Sequence, residues 1–276
     1  TAAALLADEG RAHELVPAQD LGRWLPGGRG FHGALHLPGE AIVQPVAMVR
    51  GLAQLAARAG ARLVEGAEVA AIEGDAGAFT IRLADGRTTT AAMVVHCTSV
   101  LARELDTSGN LQRLVFPFRG QVIATDPLPD AVARQFPPYA MSSNFCYEYF
   151  RVHGRRFVLG GKRWSVPGEE LGLIDDSLHN PAISDNLREY ASEHFPALDG
   201  VAFPHVWTGI MAGTHDGLPL VGALPGAPGV FALCAFNGYG LSFAFLAGRC
   251  LADMILDGHS EHRALPMFAP RRFGPA

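Results

Sequence analysis

The sequence has 276 residues, with 22 Lys+Arg against 27 Asp+Glu for a formal charge of −5, and it is 49% hydrophobic but only 18% charged. That mix describes a globular chain long enough for one large or two smaller domains, and it excludes disorder and collagen. Mild acidity without a Lys/Arg cluster also argues against a nucleic-acid phosphate-binding face or an anionic membrane surface. Cys97, Cys146, Cys234 and Cys250 lie far apart with no C-x-x-C pair, which points away from a zinc ribbon or disulfide framework and toward a reducing, cytoplasmic setting. The apolar stretches Gly229 to Phe236 and Leu241 to Gly248 are separated by Asn237-Gly238 and closed by Arg249. Neither reaches the roughly 18 apolar residues of a membrane span. The chain begins with Thr1 and has no charged-then-apolar leader, so a cleaved, trimmed or excised chain is expected.

In chain order, Thr1 to Gly10 reads as the end of a helix closed by Gly10, and Pro17 starts a short helix through Trp24 and Leu25. From Pro45, Val49, Leu52, Ala53 and Ala56 form a helical stripe with Arg50, Gln54 and Arg58 on the other side and Gly60 as the stop. The period then becomes alternating over Arg62 to Glu65, Glu68 to Glu73, Phe79 to Ala84 and Arg87 to His96, with an Asp85-Gly86 hairpin turn. Further strands are predicted at Leu114 to Thr125, Asn144 to Val152 and Arg156 to Gly160, the last two joined at His153-Gly154. A helix from Ala182 to His194 follows Asn180-Pro181. Strands at Ala202 to Thr208, Pro219 to Val221 and Val230 to Cys234 precede a final helix from Gly240 to Leu256, and Arg271 to Ala276 reads as a loose tail. Strands in the middle with helices at both ends indicate an α+β fold with a mixed, largely antiparallel sheet.

No G-x-G-x-x-G follows a predicted strand, and G-x-x-x-x-G-K-[ST], G-x-S-x-G and H-E-x-x-H are absent. Gly160-Gly161-Lys162 is too short for a phosphate loop and reads as a tight turn after a strand. Gly33 and Pro38 spoil a helix around His32 and His36, and His259 with His262 lies in a polar stretch with few other ligand candidates, so no metal is expected. The informative region runs from Trp207 to Gly222 and on through Phe236-Asn237-Gly238-Tyr239-Gly240-Leu241-Ser242-Phe243. Its loop glycines abut apolar runs, which suits close approach of backbone to a flat partner. The opening N–H groups of the last helix would offer roughly half a positive charge to an electron-rich group. The same glycines also suit plain strand–helix packing.

Taken together, these segments resemble the FAD-dependent D-amino-acid oxidase-like superfamily, which includes glycine, sarcosine and opine oxidases. The resemblance rests on Gly33-Ala34-Leu35 with Ala41 to Pro45, the helix to Gly60, Glu68-Val69, Val94 to Ser99, Phe118-Arg119-Gly120-Gln121, Leu159-Gly160-Gly161 and the two C-terminal loops. It implies a substrate domain with a largely antiparallel sheet and the remaining part of an FAD-binding α/β domain. The corresponding segments are 1–45 as a connecting segment, 46–110 as part of the FAD-binding domain, 111–205 as the substrate domain and 206–276 as the flavin-facing C-terminal part.

Carried over by position, the resemblance sets Val69 against the adenine, and Cys97, Thr98 and Ser99 beside the cofactor's diphosphate and ribose; the family usually has Gly at the Ser99 position. It sets Asn237, Gly238, Tyr239, Gly240, Leu241 and Ser242 beneath the flavin pyrimidine. Met211 stands where the glycine-oxidase-like pattern has an Arg that clamps the substrate carboxylate, a pairing Met cannot make. The resemblance therefore implies a larger secondary or substituted amine or amino acid, with Tyr147 and Tyr149 as pocket walls and Arg119 or Arg151 as acid-binding cations. Tyr147 and Tyr149 read equally well as core aromatics. Hydride would pass from the C–H beside the amine nitrogen to flavin N5. The dinucleotide fingerprint and its acidic partner belong near the family's N-terminus, so about a hundred residues are expected to be missing, supplied upstream or by a partner chain. A fragment without them should be inactive alone. A catalytically silent scaffold or binding module that keeps the fold without flavin is the alternative.

Overall fold

The computed structural model describes residues 2–144 and 147–274. The strands in chain order are β1 (Glu14–Pro17), β2 (Gly33–His36), β3 (Val69–Glu73), β4 (Phe79–Leu83), β5 (Thr88–Ala91), β6 (Val94–His96) and β7 (Phe116–Ala124). They continue with β8 (Met141–Ser143), β9 (Glu148–His153), β10 (Arg156–Gly161), β11 (His205–Gly213), β12 (Leu220–Ala223) and β13 (Val230–Cys234). Helices at Pro45–Arg58, Pro181–His194 and Gly240–Asp257 fall where the caps and periodicity place them. The segment after Pro17 is a 3-10 helix, Ala18–Arg23.

The chain divides into two units, Thr1–Gln44 with Arg119–Glu170 and Asp175–Gly209, and Pro45–Phe118 with Leu171–Ile174 and Ile210–Ala276. Residues 1–44 are therefore no mere connector but part of the first unit. After Gln44 the first unit resumes at Arg119 in β7 and ends at Gly209 in β11, where the sequence suggests 111 and 205. These shifts arise because β7 and β11 are continuous strands that pass from one unit into the other.

The first unit is built on a five-stranded sheet of order β11-β7-β10-β9-β8, with β10 antiparallel to both β7 and β9. One face packs under the Pro181–His194 helix, whose Ile183, Leu187, Tyr190 and Ala191 are buried with Ile123, Phe150, Phe157 and Leu159 from the strands. The helix starts cleanly because Asn180 Oδ1 accepts the Ala182 N–H at 3.1 Å and Pro181 needs no partner for its own nitrogen. Two polar side chains of β7 also point into this face. Gln121 holds Asn180 through the Asn180 N–H at 2.8 Å and the Asn180 carbonyl at 2.9 Å. Arg119 is nearly enclosed and donates Nε to Glu170 Oε2 at 2.7 Å and Nη1 to the Asp175 and Leu178 carbonyls at 2.8 Å each.

The second unit holds a three-stranded sheet β12-β13-β6 and a three-stranded antiparallel sheet β3-β4-β5. The run Arg87 to His96, expected as one strand, is two: β5 pairs with β4, whereas β6 joins another sheet. Arg62 to Glu65 is not a strand, and β8 was not foreseen. The tail is not loose through residue 273. Arg272 is fixed to Asp216 at 2.7 Å and to the Pro219 and Phe268 carbonyls at 3.0 and 2.8 Å, while Pro275 and Ala276 lie outside the described residues. The stripe foreseen on the Pro45–Arg58 helix is only partly covered: Leu52, Ala53 and Ala56 are half-buried and Val49 is exposed. No helix among the described residues is long and apolar enough to cross a membrane.

Replacing Arg119 with Ala would leave the Glu170 carboxylate enclosed without its cation. Loss of one partner of such a pair costs roughly 3–5 kcal/mol. We expect Arg119→Ala to lower the urea midpoint of the chain by a corresponding amount, whereas an unchanged midpoint would show that Glu170 does not depend on the guanidinium.

Candidate functional site

The second unit's site follows from one pairing. β13 runs parallel to β6, with Val230 opposite Val94, Phe231 opposite Val95 and Ala232 opposite His96. Both strands therefore release their chains at the same end of the sheet, β6 into Cys97–Ser99 and β13 into Ala235–Gly240. Carboxyl ends of parallel strands are where α/β sheets bind ligands, because the loops there diverge and leave a crevice.

Each turn is held in an unusual backbone state. After β6, Ser99 has φ +53, followed by the 3-10 turn Ser99–Leu101, which is anchored by buried Val100. That left-handed conformation costs a non-glycine residue of order 1–2 kcal/mol. After β13, Ala235 (φ +56), Asn237 (φ +55) and Gly238 (φ +90) are all left-handed. Asn237 holds this loop in place. Its N–H donates to the Ala212 carbonyl at 3.0 Å, its Oδ1 accepts the Thr214 N–H at 3.0 Å, and its Nδ2 donates to the Ala235 carbonyl at 2.8 Å. The Asn237 side chain is therefore spent on the loop itself, and only its neighbours face outward.

The final helix starts at Gly240 with Tyr239 as its cap. The Ser242 and Phe243 N–H groups turn back to the Tyr239 carbonyl at 3.0 and 3.3 Å. Gly240 and Leu241 occupy first-turn positions whose N–H groups have no intrahelical acceptor. Gly238, Tyr239, Leu241 and Ser242 are exposed. A side chain at Gly240 would meet only Phe236, at 3.6 Å or more, so the protein itself leaves room there. Met211 lies beside the loop, its sulfur 3.5 Å from where a Gly238 Cβ would be. Val69, also in this unit, opens β3 at a register shift between Val69 and Ala71.

The turn ahead of β12 is fixed by Asp216, which accepts from the Leu218 N–H at 3.1 Å, Thr214 Oγ1 at 3.0 Å and the Arg272 guanidinium at 2.7 and 3.0 Å. Chiefly through Arg272, its carboxyl is lowered from 3.8 to about 2. Cys97 is exposed at the end of β6, and desolvation raises its thiol above the ordinary value. Cys234 is buried; desolvation first, then Cys97 and Asp106, push it up to about 12, so it packs as a neutral core residue. Cys146 lies outside the described residues.

In the first unit, the sheet face opposite the Pro181–His194 helix carries Tyr149, which is exposed; Tyr147 precedes β9 in the same alternation and is also exposed. Arg151 shares this face through its spacing from Tyr149 and donates Nη1 to the Val43 carbonyl at 3.4 Å. Desolvation raises the Tyr149 phenol, so it stays neutral. Arg119 does not join them. It points to the opposite face and is committed to Glu170, and it is withdrawn as an acid-binding candidate. No cluster of three or more metal-ligating side chains occurs among the described residues. Gly28 to Gly33 spells G-x-G-x-x-G but leads into β2 rather than a helix, so it is no dinucleotide loop.

The model of the FAD dependent oxidoreductase family (DAO) matches residues 1–254, and the chain belongs to that family. Glycine oxidase of Geobacillus kaustophilus (strain HTA426) is 28% identical over 243 residues, which are 88% of this chain and 61% of the relative. D-amino acid dehydrogenase of Xanthobacter autotrophicus is 30% identical over 227 residues, 82% of this chain and 51% of the relative. The chain thus spans between half and two thirds of these relatives' lengths. Among solved structures, glycine oxidase from Geobacillus kaustophilus superposes with a TM-score of 0.77 at 23% identity over 98% of this chain and 69% of that one. L-proline dehydrogenase from P. horikoshii does so with a TM-score of 0.83 at 17% identity over 98% and 71%. The fold is that of these enzymes, and FAD is the family's cofactor. The exposed helix start and the open space at Gly240 fit a flat ring with an electron-rich edge.

The low Asp216 pKa makes a signed prediction. A carboxyl lowered from 3.8 to about 2 on folding adds stability that is fully present above about pH 4 and is lost as the pH falls toward 2. We expect Asp216→Asn to be less stable than the parent at pH 6 and to flatten the parent's decline between about pH 4 and 2; parallel slopes in acid denaturation would refute the assignment.

Proposed function

We propose that the chain is part of an oxidoreductase that oxidises an amine or amino acid by hydride transfer from the C–H beside nitrogen. The supporting observation is the exposed start of the Gly240–Asp257 helix, standing at the carboxyl end of the parallel β6–β13 pair. FAD, when bound, supplies a ring that accepts the hydride at N5. The Gly240 and Leu241 N–H groups would hold negative charge at the ring's pyrimidine edge, a fixed dipole that needs no reorganisation during reaction. Gly238 and Gly240 keep side chains out of the ring's path. Cys97, Thr98 and Ser99 would border the diphosphate and ribose, and the Val69 backbone would meet the adenine. Because hydride leaves from carbon beside a neutral amine, no strong base is required of the chain.

Met211 gives the substrate reading its direction. A thioether cannot pair with a carboxylate, so simple glycine is disfavoured against larger secondary or substituted amines. By the resemblance to the family, Arg151 of the first unit would serve as the cation for an acid group, with Tyr147 and Tyr149 as walls. Further residues, in a longer form of this chain or in a partner, would supply the diphosphate cradle. This is supported by the exposure of Val46, Val49, Leu55, Val95, Leu241 and Phe245 in the second unit, and β6 has an unpaired edge among the described residues. Alone, the 276-residue chain should retain little flavin.

Gly240→Val tests the loop. Its nearest neighbours leave room for a side chain, so the variant should fold normally yet retain at most about a tenth of the parent's flavin in the full-length enzyme. Equal flavin absorbance at 450 nm in parent and variant would sink the assignment. In contrast, Met211→Arg should keep flavin and raise kcat/KM for glycine relative to N-substituted glycines by about tenfold; an unchanged ratio in a bleaching assay would remove position 211 from substrate selection.

A further inference from the structure

Near its C-terminus the chain places a cation that reaches back into the second unit. Arg272 lies in the 3-10 turn Pro270–Phe273, and its side chain is only 13% exposed. Nε donates to Asp216 Oδ2 at 2.7 Å and Nη2 to Asp216 Oδ1 at 3.0 Å, a two-point pairing that fixes the plane of the carboxylate. The remaining donors take main-chain oxygens around it. Nη2 also reaches the Leu218 carbonyl at 2.8 Å, and Nη1 the Pro219 and Phe268 carbonyls at 3.0 and 2.8 Å. The guanidinium carbon stands 4.3 Å from the centre of the Phe273 ring. So full a set of partners holds the turn 214–219 in one shape.

From that turn the bonds lead to one loop. Asp216 Oδ1 accepts from Thr214 Oγ1 at 3.0 Å, and the Thr214 N–H donates to Asn237 Oδ1 at 3.0 Å. Asn237 (φ +55) stands between Ala235 (φ +56) and Gly238 (φ +90), a run of left-handed residues that keeps its shape only where its surroundings hold it. Arg272, Asp216, Thr214 and Asn237 thus form one chain of bonds, and all four belong to the second unit. Asp216, its carboxyl lowered to about 2 chiefly by the hydrogen bonds from Arg272, is charged throughout the neutral range, so the pairing does not lapse there.

Resting on the oxidoreductase reading above, we propose that Arg272 is a positioning residue for the flavin: through Asp216 and Thr214 it fixes the Asn237 turn, and so favours reduced over oxidised flavin. Dipoles stabilise the added negative charge of a reduced ring best when they are oriented beforehand. A loop free to reorient must first be ordered, and that cost falls on the charged state. Arg272 itself touches neither ring nor substrate in this role.

The test is made on the full-length flavoprotein and reads the flavin's midpoint potential rather than turnover. Arg272→Gln should cut the preference for reduced over oxidised flavin at least about tenfold, a fall of about 30 mV for a two-electron couple. Thr214→Val keeps the side chain's shape without its hydroxyl, a milder change that should give a fall of similar size. The double variant should fall no further than either single one, because both break the same chain of bonds. Amide exchange at Thr214 and Asn237 should speed up in each. Arg119→Ala, which loses stability in the first unit, should keep the parent's potential, and this separates positioning from a general loss of stability. A parental potential in Arg272→Gln, an equal fall in Arg119→Ala, or additive falls in the double variant would each overturn the proposal. A full-length protein that binds no flavin overturns this role and the oxidoreductase reading together. If the potential falls as expected but no amine bleaches the flavin, the reaction assignment fails and the role of Arg272 stands. If amines bleach it while position 272 leaves the potential untouched, the reverse is true.

Discussion

The parallel register of β6 with β13 is the constraint on which the second unit's site depends. It joins segments more than a hundred residues apart so that both emerge at one sheet end. An antiparallel pairing would send Cys97–Ser99 and Ala235–Gly240 to opposite ends. The turns that follow are then forced: three of the four residues from 235 to 238 are left-handed. Such states cost non-glycine residues of order 1–3 kcal/mol each and persist only where surroundings over-determine them. Here Asn237 does so, with one side chain and one N–H tied to Ala212, Thr214 and Ala235. Behind it, Arg272 and Asp216 fix the turn that carries Thr214. The loop that leads into the final helix is thus held from behind by side-chain and main-chain bonds.

Much of the fold is legible in the chain because its signals are local. Asn180-Pro181 starts a helix, Gly60 and Gly258 follow two, and Asp85-Gly86 turns a hairpin. Each is read from a few neighbouring residues whose conformational limits leave few choices. What stays hidden is non-local. Arg87 to His96 alternates without interruption, and only a partner far along the chain removes β6 from the sheet of β4 and β5. Membership of 1–44 in the first unit likewise depends on distant packing, such as the Arg29 N–H on the His194 carbonyl at 2.9 Å.

For the candidate site, the order of the loops and the helix start were legible because glycine spacing marks them. The facing of side chains was not. Arg119 and Arg151 are both arginines on strands, and nothing in their immediate sequence tells which is enclosed. The difference comes from Glu170, whose carboxylate meets Arg119 only after the segment from 163 to 180 has folded across β7. The three bonds of Asn237 to Ala212, Thr214 and Ala235 were likewise invisible in the sequence, because their partners are set by the fold.

Glycine carries two separate meanings here, and distinguishing them changes what a motif says. At Gly238 the residue is required by φ +90, and a larger residue would strain the main chain whatever lay around it. At Gly160 and Gly213 the main chain is ordinary and the space is taken: by Tyr149 over Gly160, and by Phe116 and Asn237 over Gly213. Sequence shows the same letter in both cases. A positive-φ glycine tells of the loop's path, which any member of a fold needs. A glycine whose space a neighbour's ring occupies tells instead of the packing around it, which only the folded chain reveals.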